Sequence, residues 1–245
     1  MCGNSRYNLI VTIQDDTLIH LDTVSKTYKR GHEAITALHD VTLTIRRGEL
    51  LAIVGPSGAG KTTLTHIIGG LITPDTGTVA VGGHTLSRRS DRALSKYRNS
   101  TVGFIFQNFS LLPHYTALEN VTIPLVVAGI PHAKRVVTAK RYLALVGLEK
   151  QANQRANELS GGERQRVSIA RALVHKPRII IADEPTGSLD SARGHEIMNI
   201  LEQLSHEQGI TVLIVTHDEE LAKRADRIIY IRDGQVIQEK NHAHS

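Results

Sequence analysis

Eight consecutive residues, Gly55-Pro56-Ser57-Gly58-Ala59-Gly60-Lys61-Thr62, have the types and spacing to hold a chain of phosphates. They fit G-x-x-x-x-G-K-[ST], which arises by chance on the order of once per ten thousand positions or more rarely. Glycines let the backbone bend so that successive N–H groups face phosphate oxygens, and a helix N-terminus adds partial positive charge. Lys61 would reach the β- and γ-phosphates, and the Thr62 hydroxyl would ligate Mg²⁺. An ordinary glycine turn capping a helix is the plainer alternative. The flanks argue against it. Leu50–Val54 reads as a buried strand between Gly48 and Gly55, and Lys61–Gly69 carries Leu64, Ile67 and Ile68 at helical spacing. Strand, glycine loop and helix is the context the motif requires, so the chain is expected to bind a nucleoside triphosphate.

Two further stretches carry chemistry. Ile179–Ala182 is an apolar strand that ends in Asp183-Glu184. Asp183 would hold Mg²⁺, directly or through water, and Glu184 could polarise an attacking water as general base. Leu159–Arg166 opens with Ser160-Gly161-Gly162-Glu163. Ser160 with Glu163 is a capping box, and Val167, Ala170, Leu173 and Val174 make an ordinary apolar stripe. Capping alone does not demand two glycines that weaken a helix; a second phosphate site at the helix N-terminus does suit them.

Elements must position these groups. Leu18–Tyr28 and Thr36–Ile45 alternate as strands, and with Thr78–Val81 they should form a small antiparallel sheet. A short basic helix is expected near Arg92–Tyr97, and Val102–Phe106 reads as a strand ending at Gln107. Thr116-x-x-Glu119 caps a helical stretch, and Ala133–Val146 offers Val136, Val137, Leu143 and Val146 for one face. Residues 108–159 therefore look like a helical insertion. The α/β rhythm then returns with a helix over Gly161–Val174, strands at Arg178–Ala182 and Thr211–Val215, and helices at Ser191–Gln208 and Glu219–Arg224. Ile197, Ile200, Leu201 and Leu204 share a face of the longer helix. A hairpin turns at Asp233-Gly234. Alternating strand and helix imply a mostly parallel sheet with ligands at the carboxyl ends of its strands.

At 245 residues the chain suits one large domain with a full core, or at most two small ones. No segment reaches the ~18–20 apolar residues of a membrane span. Met1–Gln14 does not read as a signal peptide, Cys2 does not read as a lipidation site, and a single cysteine excludes an internal disulfide. A soluble cytoplasmic domain is the expectation. Net charge is +5, with Arg88, Arg89, Arg92, Lys96 and Arg98 clustered. No zinc-finger spacing or interleaved aromatics accompany that cluster, so no nucleic-acid partner is expected.

The phosphate loop, Gln107, Leu-Ser-Gly-Gly at 159–162, Asp183-Glu184, Ser188-Leu189-Asp190 and His217 together resemble the nucleotide-binding subunit of ATP-binding-cassette (ABC) transporters, over about Leu18–Glu239. The resemblance implies an α/β fold: a P-loop NTPase core, an N-terminal antiparallel β subdomain and an inserted α-helical subdomain. Domain limits follow: a flexible arm over 1–16, the ATP-binding domain over 17–240 and a tail over 241–245. The cofactors implied are ATP and Mg²⁺. Lys61 and the loop from Gly55 through Thr62 and Thr63 would bind nucleotide, and Tyr28 looks like the aromatic that stacks on adenine. Gln107 looks like the loop glutamine that touches Mg²⁺ and water and senses the membrane partner. His217 looks like the switch histidine at the γ-phosphate, and Asp190 belongs to the loop linking the two sites of a dimer. Catalysis would fall to Glu184, His217, Lys61 and Gln107, and the metal to Thr62, Gln107 and Asp183. Ser160, Gly161 and Gly162 would serve the partner's ATP in a head-to-tail homodimer.

Residues 182–190 and 106–113 resemble a subgroup of lipoprotein-releasing, macrolide- and peptide-antibiotic-exporting and cell-division ATPases. Its members pair with a separate permease that has a large extracytoplasmic domain, which places this chain on the inner face of the cell membrane. Thr62 and Thr63 stand where that group often has serines, which preserves the hydroxyls. A soluble ABC ATPase acting on nucleic acid or ribosomes is the competing reading, but it usually has two cassettes or a long coiled coil. A phosphate-loop kinase is the third, and Leu159–Gly162 and His217 argue against it.

Overall fold

The computed structural model describes residues 16–31, 33–87 and 89–242. The arm expected over 1–16 (Asp16 apart), Cys2, Arg88 of the basic cluster and residues 243–245 of the expected tail lie outside the described residues. Strands β1 (Thr17–Arg30) and β2 (Glu33–Arg46) pair antiparallel. Next come β3 (Leu50–Val54), β4 (Thr76–Val81) and β5 (His84–Thr85). The first sheet is four-stranded, in the order β2-β1-β4-β5. Strands β1 and β2 both run longer than their alternation suggests, because cross-strand pairing carries the ladder to Arg30↔Glu33. Register shifts between Thr17 and Ile19 and between Leu21 and Val24 break the alternation, so Leu18, Ile19, Leu21 and Val24 are all buried.

The second sheet has six strands. Strands β6 (Val102–Phe106), β7 (Ile179–Asp183), β8 (Thr211–Thr216), β9 (Arg227–Arg232) and β10 (Gln235–Asn241) join β3 in the order β10-β9-β3-β8-β7-β6. All its pairs are parallel except the β9–β10 hairpin at the edge. The central strands β3, β7 and β8 are almost wholly apolar because both faces are covered, whereas the edge strand β10 is mostly polar and exposed. Leu50, Ala52 and Val54 enter one core with Ile180, Ala182, Val212 and Ile214. Leu51 and Ile53 enter the other with Ile179, Ile181, Leu213 and Val215.

Helices α1 (Lys61–Ile68) and α2 (Asp91–Thr101) contribute Leu64, Ile67, Ile68 and Leu94 to the core shared with the antiparallel sheet. Ser90 caps α2, which is longer than its apolar content foretells. The opposite core receives α3 (Ala117–Val127), α4 (His132–Leu145), α5 (Gly161–Leu173) and α6 (Ser191–His206). The expected capping box on α3 is present: the Glu119 carboxylate accepts from the Thr116 amide at 2.7 Å, and the Thr116 hydroxyl accepts from the Glu119 amide at 3.1 Å. Asn120, fully buried, donates to the carbonyls of Leu112, Tyr115 and Thr116, so the turn entering α3 has its backbone satisfied.

The face expected for α4 needs correction. Val137 is 71% exposed, and the buried positions are Ala139 and Leu143, with Val146 just beyond the helix. A count of apolar residues favours valine over alanine, but the close approach of α3 favours the small side chain. Helix α7 (Glu219–Ala222) is a single turn, shorter than expected.

Candidate active site

The parallel register fixes the site. Phe106 pairs with Asp183, Asp183 with Val215, and Val54 with Thr216. Gln107, Glu184, His217 and Gly55 each follow the last residue of one of these strands, so all four stand along the carboxyl edge of the sheet.

The phosphate loop is pressed into its shape by neighbours. Gly60 has φ 103°, and a Cβ there would lie 2.4 Å from the Ala37 carbonyl oxygen. Only glycine meets both demands. The Gly234 amide donates to the Ala59 carbonyl at 3.0 Å, which pins the loop to the β9–β10 turn. Pro56, Ser57 and Gly58 are exposed at the rim, whereas Lys61 is only 8% exposed. Its ammonium folds back across the loop and donates to the carbonyls of Gly55 at 2.7 Å and Pro56 at 2.9 Å. The first turn of α1 holds no acidic residue, so its partial positive charge faces the loop unneutralised.

Beside the loop, the Thr62 hydroxyl donates to Asp183 Oδ2 at 3.4 Å. Burial pushes the Asp183 carboxyl above its ordinary range, the nearby His66 charge pulls it back, and Glu184 pushes it up again. Among the described residues no three His, Cys, Asp or Glu side chains are grouped to hold a metal. One carboxylate and one hydroxyl facing a phosphate loop is instead the donor set of an ion that keeps phosphate and water as its other ligands, as Mg²⁺ does.

Glu184 departs from the strand direction. Its φ of 47° is unusual for a residue with a side chain, and its amide bonds to the Val215 carbonyl at 2.9 Å. The turn brings Glu184 Oε1 to 3.2 Å from His217 Nδ1. A Cβ on Gly187 would lie 2.9 Å from Gln107 Nε2 and 3.3 Å from Glu184 Oε2, so these two side chains crowd one spot that glycine leaves open. Gln107, Glu184 and His217 are thus brought together, next to Thr62 and Asp183.

Other expected site residues lie elsewhere. Ser160 and Glu163 form the expected capping box on α5: the Ser160 amide donates to Glu163 Oε2 at 2.8 Å, and the Ser160 hydroxyl also bonds to it and holds the carboxyl below its usual range. The atoms nearest a Cβ at Gly161 and Gly162 belong to Leu189 and Arg193, and none to the phosphate loop of the same chain. Asp190 caps α6 by accepting from the Arg193 amide at 2.9 Å. Tyr28 sits on β1 opposite Ile35, 41% exposed, with the Lys26 ammonium 5.8 Å from its ring centroid.

Comparison with known proteins settles what this arrangement belongs to. A family model described as ABC transporter matches residues 38–187. The "Lipoprotein-releasing system ATP-binding protein LolD" of Bacteroides fragilis is 46% identical over 220 residues, which is 90% of this chain and all of LolD. The chain belongs to the ABC transporter family. The fold agrees: the ATP-binding cassette MJ0796, solved as a dimer in a post-hydrolysis state bound to ADP and Pi, superposes with a TM-score of 0.86 at 44% identity, over 93% of this chain and 100% of that one. CbiO1 of Clostridium perfringens, part of the ABC transporter complex cbiONQ, gives 0.82 at 29% identity, over 93% and 89%.

As an ABC cassette, the chain binds and hydrolyses ATP and energises a membrane transporter. No helix among the described residues is long and apolar enough to cross a membrane. The reading as an ABC ATPase acting on nucleic acid or ribosomes gains nothing from these relatives. Sequence reasoning missed Gln165, which is fully buried on α5 and donates from Nε2 to the Pro185 carbonyl at 2.7 Å, bracing the turn after Glu184. Its residue type gives no hint of this, and its burial shows only once Ser168 and Ile169, three and four positions on, are seen to face the core.

Proposed function

We propose that this chain is the Mg²⁺-dependent ATPase of a transporter that releases lipoproteins from the membrane. The observation that carries the chemistry is the Glu184–His217 contact at 3.2 Å, set at the strand edge beside Asp183 and Thr62. Identity to LolD along its whole length supports the cargo class.

Each residue has a role in this reading. Lys61, the loop amides and Thr63 bind the β- and γ-phosphates, and Tyr28 stacks on adenine. Thr62 and Asp183 would hold Mg²⁺, with Gln107 beside them. When bound, the ion would supply neutralisation of phosphate charge. Glu184 takes the proton of the attacking water, and His217, hydrogen-bonded to that carboxylate, orients it and reaches the γ-phosphate. Ser160, Gly161 and Gly162 dock on the partner's nucleotide, with Asp190 in the joint between the two sites. Two copies therefore close head to tail around two ATPs, as the dimeric MJ0796 structures support.

The helices over 108–159 act as an inserted subdomain within an ATP-binding domain of residues 17–240. A groove between α2, β6, α3 and α5, lined by Phe104, Phe106, Pro124 and Val127, opens next to the Gln107 loop. This groove seats a cytoplasmic segment of the permease, a protein with a large extracytoplasmic domain, and so holds the cassette on the inner face of the cell membrane.

The test uses Glu184→Gln, which keeps the shape but cannot take a proton. The variant should bind ATP, hydrolyse it at a small fraction of the normal rate and run as a dimer on gel filtration with Mg-ATP but not ADP. A variant that stays monomeric and turns over ATP at the wild-type rate removes Glu184 as the base.

A further inference from the structure

The loop after Gln107 is folded against its own backbone preference. Phe109 and Ser110 lie at φ 57° and 48°. There the Cβ of an L residue crowds a neighbouring carbonyl, and neither residue is the glycine or asparagine that tolerates this region best. Two such residues in a row persist only where their surroundings hold them. Arg171 supplies that hold. One nitrogen of its guanidinium donates to the Ser110 carbonyl and the other to the Phe109 carbonyl at 2.9 Å. The Arg164 guanidinium lies 5.3 Å from the centroid of the Phe109 ring. Arg164 and Arg171 are two helical turns apart and share one face of α5, the helix whose N-terminus is Ser160–Gly162.

We propose that Arg171 is a positioning residue for ATP hydrolysis. Its forked guanidinium, with Arg164 on the Phe109 ring, holds residues 109–110 in their left-handed turn and so sets where Gln107 stands against Gly187 and Glu184. The helix that presents Ser160–Gly162 and the loop that carries Gln107 become one body, and a displacement of α5 at the dimer interface moves Gln107 with it. A lysine replaces the fork only in part, because its three donors radiate from one nitrogen instead of lying parallel in the fixed plane of a guanidinium. The inference rests on the role given above to Gln107.

The experiment combines hydrogen exchange with steady-state kinetics on the full chain. In Arg171→Ala the amides of residues 107–111 should exchange on the order of tenfold faster, while those of Val167–Ala170 keep their protection. Turnover should fall on the order of tenfold with KM for ATP changed by less than about threefold. Arg171→Lys, which keeps charge and stem, should show the same pattern to a smaller extent, and it serves if the alanine variant loses protection throughout. Adding Ser110→Gly to Arg171→Ala should restore part of kcat, because glycine adopts φ near +48° without a Cβ to crowd. In a Gln107→Ala background, Arg171→Ala should change kcat by less than about twofold, since the group being positioned is gone.

Unchanged loop exchange in Arg171→Ala, no recovery with Ser110→Gly, or a full multiplicative loss on top of Gln107→Ala would each overturn the proposal. Wild-type turnover in Gln107→Ala would instead defeat the role of Gln107 and the positioning role with it. Faster loop exchange in Arg171→Ala would then still separate a real clamp from a mistaken reading of Gln107.

Discussion

At the scale of single residues, the candidate site fixes charge in place through bonds to its own backbone. Lys61 shows this best. Its stem is buried beneath the phosphate loop, and its ammonium spends two donors on the Gly55 and Pro56 carbonyls. Those bonds hold the cation at the centre of the loop, where a phosphate chain would meet it. Lys61→Ala should therefore lower kcat by about 10²–10³-fold, the effect of removing one preorganised charge from a transition state. It should also lower stability by about 1–3 kcal/mol, because the two carbonyls lose a charged partner. Steady-state ATPase assays and urea melts check the two halves separately, and near-normal turnover at saturating Mg-ATP would contradict the assigned role.

The loop motif and Asp183-Glu184 were legible in the sequence because their chemistry needs particular residue types at a strand end. Gln165, Gly187 and Arg171 were not. Gln165 and Arg171 work by bonding backbone far away in the chain, and Gly187 by leaving room for side chains that only the folded sheet brings there. The turn at Phe109-Ser110 left no trace either, since no glycine marks it.

At the scale of elements, the strands of the parallel sheet were readable as short apolar segments bounded by glycine or charge, because burial on both faces leaves no polar position to blur them. Their partners were harder. Val137 looks like a core residue on α4 until the position of α3 is known, and β1 and β2 gain length from each other rather than from their own alternation.

Helix starts, by contrast, are written locally. Thr116 and Ser160 each bond the amide of a glutamate three residues on, and that glutamate bonds back. The carboxyls of Glu119 and Glu163 both lie below their ordinary range because they accept these bonds. A carboxylate whose folded pKa is depressed adds stability that is present above its unfolded value and lost as pH falls through the folded one. The contribution of both boxes should thus be full at neutral pH and fade below about pH 4.5. Glu119→Gln should flatten the acid limb of stability against pH without moving the neutral value as far as Thr116→Ala does. The latter should cost about 1 kcal/mol at pH 7, as removal of an N-cap hydroxyl does. Urea midpoints over a pH series measure both, and an acid limb as steep in Glu119→Gln as in wild type would remove the box as a source of pH sensitivity.

At the scale of the molecule, the two proposed parts of the site do not meet within one chain. Gly55–Thr62, Asp183, Glu184 and His217 line the carboxyl edge of the sheet, whereas Ser160–Gly162 sit against Leu189 and Arg193. In the proposed dimer a self-complementary two-fold interface would let each part complete the other in a second copy. Mixing two inactive variants tests this directly. Lys61→Ala disables the phosphate loop. Gly162→Asp places a carboxylate where the partner's γ-phosphate would dock. The fold should tolerate it, because the nearest atom to a Cβ there is Arg193 Cδ at 3.1 Å, on a flexible side chain that is half exposed. Each variant alone should be inactive, since both sites of its dimer carry the defect. In a mixed dimer one site inherits both defects while the other joins an intact loop to an intact Ser160–Gly162. Random mixing makes about half of the dimers mixed, so roughly a quarter of all sites are whole and ATPase activity should reappear. The Lys61→Ala, Gly162→Asp double variant mixed with wild type leaves no whole site in its mixed dimers, and it should inhibit rather than rescue. Strict dependence of hydrolysis on two whole sites would silence the first mixture, but the second would still show inhibition. Wild-type turnover by Gly162→Asp alone would reduce Ser160–Gly162 to a helix cap and leave each active site within a single chain.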